Sequence, residues 1–259
     1  MHTNSDMPLE CPVCGATCVL LDVVDFNKSC EEARGRRLPL AGLPIYYARC
    51  GGCRFCFSPE LASWDAEKTR RLVYNEDYAL VDPDFAHVRP ASNATDLKHA
   101  FGPCRQHIVH LDYGGGAGLV SKILRADGWQ SFCVDPFFTG RPGGALPRAN
   151  LITAFEVFEH HPRPRELMEE VASMLADDGM ILFSTLVSDG QIRPGERLGW
   201  WYAAPRNGHV SLYSRRSLAV LAQRHGFGFA SFSDGYHLFH RALPAWATAA
   251  VATLQVVLG

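Results

Sequence analysis

Short apolar runs alternate with amphipathic stretches through the second half of the chain. The apolar runs predict buried strands, which lie at 108–112, 131–134, 150–155 and 180–186. Apolar positions three or four residues apart predict helices, which lie at 119–126, 164–175 and 214–225. Two more runs, 227–233 and 236–240, flank the hairpin dipeptide Asp234-Gly235. This order predicts an α/β fold, a Rossmann-like doubly wound and mostly parallel sheet that ends in an antiparallel C-terminal hairpin.

The flanking segments carry shorter patterns. Residues 20–26 and 44–48 predict the strands of a small hairpin, and 64–74 predicts a helix, followed by a stretch at 83–90 that prolines punctuate. The apolar run 245–258 is too short to span a bilayer, so we expect a core-packed or interfacial helix there. These patterns divide the chain into an N-terminal module (1–57), linker or cap helices (58–106), a main domain (107–240) and a C-terminal apolar helix (241–259).

A glycine-rich turn lies between the first strand and the first helix of the main domain. After Asp112 come four glycines, Gly114, Gly115, Gly116 and Gly118. Glycine tolerates positive φ and lets a ligand approach the backbone, and the helix that follows presents unpaired N–H groups. The turn therefore predicts a nucleotide pocket. A dinucleotide-binding G-x-G-x-x-G fingerprint does not fit, because position 119 is leucine.

A second strand ends in an acid seventeen residues after the glycine turn, at Asp135. A carboxylate at this place can accept hydrogen bonds from both hydroxyls of a ribose. The ordered pair of a glycine turn and a following strand-end acid is more specific than either feature alone. The loop between 136 and 148 is short, since thirteen residues barely allow the helix and strand that such folds place there.

The pattern acid-x-Gly-x-Gly-x-Gly across 112–118 resembles motif I of class I S-adenosylmethionine methyltransferases. Residues 154–162, AFEVFEHHP, resemble the segment E-V-x-E-H-x-x-x-P of many small-molecule methyltransferases in that class, with Pro162 early and Pro164 at the usual spacing. Residues 207–214 resemble the H-x-x-x-F/Y-S/T segment of the same enzymes. The resemblance covers about 107–240. It implies that S-adenosylmethionine is the cofactor and that it contacts Asp112, Gly114, Gly115, Gly116, Gly118, Asp135 and Glu156.

The same resemblance places the chemistry on Glu156, His160 and His209. Transfer of a methyl group to a hydroxyl or an acidic carbon needs a base, and histidine is the usual base near neutral pH. His160 is the first candidate and His209 the second. Some relatives bind a divalent cation at matching positions, which here are Glu156, Glu159, His160 and His209. A purely structural role remains open, in which His160 and His161 cap the turn.

Nine cysteines occur in the chain, four of them in the knuckles Cys11-x-x-Cys14 and Cys50-x-x-Cys53. Two such knuckles complete a tetrahedral four-thiolate zinc site, and four thiolates leave no open position for catalysis. We therefore expect a structural zinc ion and a small zinc-binding module that folds outside the core of the main domain. Cys56 is the rival for the fourth ligand.

Composition narrows the partners. The 259-residue chain has 25 Lys plus Arg against 27 Asp plus Glu, a net charge of −2. This balance, without a basic stripe, argues against binding nucleic acid. No secretory signal is visible at the N-terminus, so we expect a cytoplasmic protein without a membrane span. The sequence gives no oligomeric state.

These observations predict a methyltransferase that transfers a methyl group from S-adenosylmethionine to oxygen or carbon of a small acceptor. The chain resembles bacterial small-molecule methyltransferases with a cysteine-rich N-terminal module, including deoxysugar C-methyltransferases, which favours a sugar or natural-product intermediate as acceptor. The aromatic run 200–202 either closes over that acceptor or packs against the cap helices. Two alternatives stay open: a zinc-ribbon protein that binds S-adenosylmethionine without turnover, and a methyltransferase acting on RNA or protein.

Overall fold

A computed structural model describes residues 9–136 and 146–258. The strands, in chain order, are β1 (Cys18–Asp25), β2 (Pro44–Cys50), β3 (Cys56–Phe57), β4 (Val109–Tyr113), β5 (Gln130–Val134), β6 (Ala149–Phe155), β7 (Leu175–Ser184), β8 (Ser211–Leu212), β9 (Gly228–Ser231) and β10 (Tyr236–His240). The α-helices are α1 (Pro59–Ala62), α2 (Ala66–Leu72), α3 (Tyr78–Val81), α4 (Val88–Phe101), α5 (Leu119–Ala126), α6 (Pro164–Ser173), α7 (Arg215–Arg224) and α8 (Ala247–Val257).

The main sheet has six strands in the order β5-β4-β6-β7-β10-β9. Strands β5, β4, β6 and β7 run parallel, and β10 pairs antiparallel with both β7 and β9. The predicted mostly parallel sheet with a C-terminal hairpin is therefore confirmed. Because β4 and β6 are parallel neighbours, the residues that follow each of them lie at the same edge of the sheet.

Side chains of β7 alternate between two buried layers, as the period of two along a strand requires. Ile181 and Phe183 pack with α6 and α7 on one face, whereas Met180 and Leu182 pack with α4, α5 and α8 on the other. Phe183 stacks against Phe158, with ring centroids 4.3 Å apart. Both faces of the sheet are thus covered, which explains why the strands read as continuous apolar runs.

A second, antiparallel sheet has the order β1-β2-β3-β8. The predicted N-terminal hairpin is confirmed as β1 and β2, while β8 comes from the main domain. Val13, inside the first cysteine knuckle, and Phe55, just after the second, belong to the same buried cluster as Tyr213 and Leu218. The expectation that the cysteine module lies outside the core of the main domain is therefore wrong. The spacing of the cysteines could not reveal this, because shared burial is a tertiary property.

Helix α4 lies within the predicted region of linker or cap helices, although the prolines at 83 and 90 favour an interrupted segment there. Pro90 is the third residue of α4, within the first turn, where a missing N–H costs no hydrogen bond. Strand β7 begins at Leu175, earlier than predicted, because residues 176–179 form an irregularity in its pairing with β6. The apolar C-terminal helix is confirmed as α8, whose Ala250 and Leu254 pack in the core.

No helix within the described ranges has both the length and the apolar character needed to cross a membrane. The short loop 136–148 falls largely outside the described residues, since 137–145 are not included.

Candidate active site

The glycine turn joins β4 to α5 at the edge of the sheet. Gly114, Gly116 and Gly118 have φ angles of +72°, +55° and +75°, a left-handed conformation that costs other residues energy. Gly118 is the N-cap of α5 and supplies no side-chain hydrogen bond to it. The first N–H groups of the helix are thus not satisfied by a capping side chain, which suits them to an anionic or polar ligand.

Asp135 closes the turn from β5. Its Oδ2 accepts a hydrogen bond of 2.8 Å from the backbone N–H of Gly116. The sequence placed Asp135 beside the turn through the spacing of two strands, and the pairing of β4 with β5 brings the two together. The carboxylate therefore helps to fix the shape of the turn.

Close packing requires glycine at two further points of the turn. A Cβ on Gly114 would lie 2.5 Å from Cγ2 of Val157, a residue that follows β6. A Cβ on Gly115 would lie 2.1 Å from Oδ2 of the Asp112 carboxylate. Both distances are shorter than real Cβ contacts allow. The turn after β4 and the segment after β6 are consequently in direct contact.

Glu156 is held in a strained conformation at the end of β6. Its φ of +55° is left-handed, which non-glycine residues rarely adopt outside functional sites. The Ser184 hydroxyl accepts from the Glu156 backbone N–H at 2.9 Å and donates to its Oε1 at 2.8 Å. Desolvation, together with the nearby Glu159 charge, raises the pKa of Glu156 to about 7.

Glu159, His160 and His209 form a compact cluster beside Glu156. One ligand atom from each residue lies within 4.8 Å of the other two. Glu159 is fully buried, and its Oε1 accepts a hydrogen bond of 2.6 Å from the Tyr202 hydroxyl. Its Oε2 is buried without a partner. An unpartnered buried carboxylate oxygen is costly, so a cation or donor at this point would stabilise it.

Backbone carbonyls fix the tautomers of both histidines. Nδ1 of His160 lies 3.3 Å from the Gly208 carbonyl oxygen, and Nδ1 of His209 lies 2.8 Å from that of Tyr202. Because a carbonyl can only accept, each Nδ1 carries the proton and each Nε2 keeps a lone pair. Burial lowers the pKa of both histidines, so both are neutral near pH 7. A neutral imidazole can act as a base or as a metal ligand.

These groups line a cavity of about 280 Å³. Its wall comes from four parts of the chain: the turn after β1, the cap segment around α3, the aromatic loop before β8, and the segment after β6. The lining residues used below are Cys30, Glu31, Arg34, Asp82, Asp84, Arg89, Glu156, His160, Trp201, Tyr202 and His209. The cap segment and the aromatic loop 200–202 thus both line the cavity. Trp200 and Tyr202 also pack in the core beneath it.

Ion pairs give the outer wall of the cavity a mixed charge. Arg89 donates to Asp82, and Arg34 donates to both Asp84 and Glu31. The cavity that His160 and His209 line therefore also has donors and acceptors in its wall. Such a wall favours a polar ligand with several hydrogen-bonding groups.

The predicted cysteines come together in space. The sulfur atoms of Cys11, Cys14, Cys50 and Cys53 all lie within 4.8 Å of one another, with distances of 3.6 Å for Cys11–Cys53 and 3.4 Å for Cys14–Cys50. A tetrahedral zinc–thiolate site has sulfur–sulfur distances of about 3.8 Å, given Zn–S bonds of ~2.3 Å. Cys56 is not part of the cluster that the described residues form.

The structure brings the predicted site residues into two adjoining groups. Asp112, the glycines and Asp135 surround the turn, whereas Glu159, His160 and His209 form the cluster at the cavity. Glu156 lies beside that cluster without belonging to it. Sequence reasoning missed Ser184, the hydroxyl donor to Glu156, and Arg89. Nothing in their local patterns distinguishes them from ordinary core and surface positions. Tyr202 was predicted as part of the aromatic run 200–202, but its hydrogen bond to Glu159 was not.

Residues 85–230 match the family model described as "Methyltransferase domain", which is more than half of the chain. No curated protein matches the chain. Among solved structures, human N-acetylserotonin methyltransferase in complex with SAM is similar at 17% identity, over 68% of this chain and 59% of that one, with a TM-score of 0.47. The chain therefore spans less than two thirds of the human enzyme.

Two further solved structures are similar. The plantazolicin methyltransferase BpumL in complex with SAH is 13% identical over 70% of this chain and 94% of that one, with a TM-score of 0.46. The glycopeptide N-methyltransferase MtfA is 14% identical over 60% of this chain and 90% of that one, with a TM-score of 0.41. At identities this low, the substrates of these proteins cannot be assigned to the present chain.

The contact between the glycine turn and Val157 can be tested with matched glycines. Alanine at Gly190, where φ is +78° and nothing lies within 4 Å, should cost about 1–2 kcal/mol through left-handed strain alone. Alanine at Gly114 should cost that amount plus about 1–3 kcal/mol for the clash with Val157. Urea unfolding measures both. Equal losses in the two variants would show that the turn does not press on Val157.

Proposed function

Because the chain belongs to the methyltransferase-domain family, we propose that it is a class I S-adenosylmethionine-dependent methyltransferase that methylates a small polar acceptor in the cavity beside His160. The observation that carries this proposal is the contact between the glycine turn and Val157. That contact brings the turn, which we propose binds the cofactor, next to a cavity of about 280 Å³ that contains neutral imidazoles.

The residues around the turn fit the cofactor. The uncapped N-terminus of α5 suits the carboxylate of its amino-acid portion, and Asp135 at the end of β5 suits its ribose hydroxyls. Asp112 adds a buried negative charge beneath the turn. We assign cofactor binding to Asp112, Asp135 and the turn glycines, with Glu156 at the boundary with the acceptor cavity.

When bound, S-adenosylmethionine supplies the methyl group from its sulfonium. The chain's own residues would orient the acceptor and accept its proton. His160 is the first candidate for that base, because its Nδ1 is engaged with the Gly208 carbonyl and its Nε2 keeps a lone pair. Nε2 of His160 would take up the proton that the acceptor loses when it receives the methyl group. Holding the two reactants in line supplies much of the rate.

The cavity supports a small, polar acceptor. A volume of about 280 Å³ is at the lower end of the range for small-molecule sites. Ion pairs on one side and Trp201 on another resemble what a hydroxylated ring requires, namely paired donors and acceptors plus an aromatic face. We therefore propose O- or C-methylation of a hydroxylated acceptor such as a sugar or a natural-product intermediate.

A divalent cation is the second candidate for activating the acceptor. Glu159 Oε2 is buried without a partner, and Nε2 of both His160 and His209 keeps a lone pair. One carboxylate and two imidazoles held by backbone carbonyls form a reasonable ligand set, and a cation there would lower the pKa of an acceptor hydroxyl. Glu156 could join as a further ligand.

We also propose that the four clustered cysteines bind one structural zinc ion. The knuckle loops are held by groups of the main domain. Ser214 at the start of α7 donates to the Cys53 carbonyl at 2.8 Å, and Arg224 donates to the Cys14 carbonyl at 2.7 Å. Zinc would fix the shape of the knuckle loops that these hydrogen bonds attach to α7, so its loss should disturb more than the first 57 residues.

The acceptor class can be tested by following a labelled methyl group. The protein is incubated with methyl-labelled S-adenosylmethionine and, separately, with the small-molecule, RNA and protein fractions of a cell extract. Label is expected in the small-molecule fraction, and mass spectrometry of the labelled product identifies the acceptor and the methylated atom. Label in RNA or protein would support that alternative, and label in none of the three would support binding without turnover.

The role of His160 is tested against its neighbour in sequence. His160→Ala should lower kcat by about 10²–10⁴, because the proton acceptor or metal ligand is lost. His161→Ala is the matched control and should keep near-parental kcat, since His161 Nδ1 only accepts from the Arg163 backbone. If the role is that of a ligand, Glu159→Ala should match the loss and chelators should inhibit the parent. Near-parental kcat in His160→Ala would exclude both roles.

Zinc binding has a matched control in the remaining cysteines. Metal analysis of protein purified without chelator should return about one zinc per chain, and Cys50→Ser should lose it. Cys104→Ser should keep it, because Cys104 lies outside the cluster. Cys50→Ser should also lower the thermal stability of the main domain, which shares its core with the knuckles. Absence of zinc from the parent protein would contradict the assignment.

A further inference from the structure

Four polar side chains form a hydrogen-bonded network in the core beneath the glycine turn, which we call the polar network. It crosses three neighbouring strands: Ser131 on β5, His110 and Asp112 on β4, and Thr153 on β6. All four are buried, with at most 2% exposure. Buried polar groups among apolar strands are costly unless they are fully paired, so their presence calls for an explanation.

Short hydrogen bonds link all four members of the polar network. His110 Nδ1 lies 2.8 Å from Ser131 Oγ, and His110 Nε2 lies 3.0 Å from Thr153 Oγ1. Thr153 Oγ1 in turn donates to Asp112 Oδ1 at 2.7 Å. The polar network ends at Asp112, whose Oδ2 is buried without a partner directly beneath Gly115.

Chemistry fixes the direction in which each member donates. An ionised carboxylate can only accept, so the Thr153 hydroxyl gives its hydrogen to Asp112 and must accept from His110 Nε2–H. His110 Nδ1 then accepts from the Ser131 hydroxyl. Burial lowers the pKa of His110 to about 3, so the ring is neutral and carries the single N–H that this order requires. Each donor in the polar network therefore donates its hydrogen bond in the direction of Asp112.

Desolvation opposes ionisation of the Asp112 carboxyl group, at the end of the polar network. Burial, together with the charge of Asp135, raises the pKa of Asp112 to about 7, although the Thr153 hydrogen bond lowers it. The bond from Thr153 thus acts in favour of the charged form.

We propose that Ser131, His110 and Thr153 are positioning residues that hold Asp112 as a carboxylate beneath the glycine turn, where its charge recognises the ammonium group of S-adenosylmethionine. The inference rests on the proposed cofactor site. The ammonium is the part of the cofactor that is both positive and a hydrogen-bond donor, which matches a carboxylate whose Oδ2 has no partner. The sulfonium has no N–H or O–H to donate, and the carboxylate of the cofactor would be repelled.

The test compares two ligands that differ in the amino-acid portion. S-Adenosylhomocysteine carries the ammonium, whereas 5′-methylthioadenosine lacks the whole amino-acid portion. Thr153→Val keeps the shape of the side chain and removes the hydroxyl. In calorimetric titrations this variant should bind S-adenosylhomocysteine about tenfold more weakly while its affinity for 5′-methylthioadenosine stays unchanged. Thr153→Ser, which restores a hydroxyl, should recover most of the loss.

Two further variants separate recognition from folding. Ser121→Ala removes another buried hydroxyl of the same region, one that donates to the Phe132 carbonyl, and should change neither affinity. In an Asp112→Asn background, Thr153→Val should cause no additional loss, because the charge it supports is already gone. Should Thr153→Val fail to fold by circular dichroism, Ser131→Ala replaces it, with the same selectivity expected at smaller size.

Each outcome decides the matter. Equal losses of affinity for the two ligands would show a merely structural role. Unchanged affinity for both would show that the polar network does not act on the cofactor site. Both results overturn the inference and leave the proposed function standing. A parent protein that binds neither ligand would contradict the proposed function itself, and the inference with it.

Discussion

The site depends on the parallel pairing of β4 with β6. Parallel neighbours end at the same edge of a sheet, so the glycine turn after β4 and the segment after β6 must meet there. They meet so closely that a single methyl group on Gly114 would collide with Val157. Glu156 and His160 flank Val157 in sequence. The distance between the glycine turn and the candidate chemical groups is therefore set by strand order.

Three carboxylates at this edge share one structural solution. Asp112 and Glu159 are buried and Glu156 is half-buried, and each accepts a hydroxyl hydrogen: from Thr153, Tyr202 and Ser184, respectively. Each hydroxyl hydrogen bond favours the charged form of its carboxyl group and so opposes burial, which raises the pKa of all three. Asp112 and Glu159 each retain one oxygen without a partner. A ligand that donates a hydrogen bond to either oxygen would therefore stabilise the protein.

The small sheet positions the remaining histidine. Strand β8 begins two residues after His209 and pairs with β3, which follows the second cysteine knuckle. The Tyr47 hydroxyl on β2 donates to the His209 carbonyl at 2.7 Å. The cysteine cluster and the acceptor cavity are thus parts of one packed unit. A metal ion at the cysteines would act on the placement of His209 through backbone and core, without any contact with the acceptor.

Local patterns in the sequence determined the elements and the cofactor turn. Glycine spacing after Asp112 and the period of the apolar residues identified β4, α5 and most of the main sheet, because these features depend on neighbours in the chain. The cysteine knuckles were equally clear, since their spacing is set by one tight turn each. What tertiary structure alone decided is how these parts meet: that Val13 and Phe55 share a core with Leu218, that Glu159 rather than Glu156 joins the two histidines, and that His110 and Thr153 support Asp112. Apart from the adjacent pair Glu159 and His160, these contacts join residues that are far apart along the chain. Their energies come from burial and from strand order, which no local pattern records.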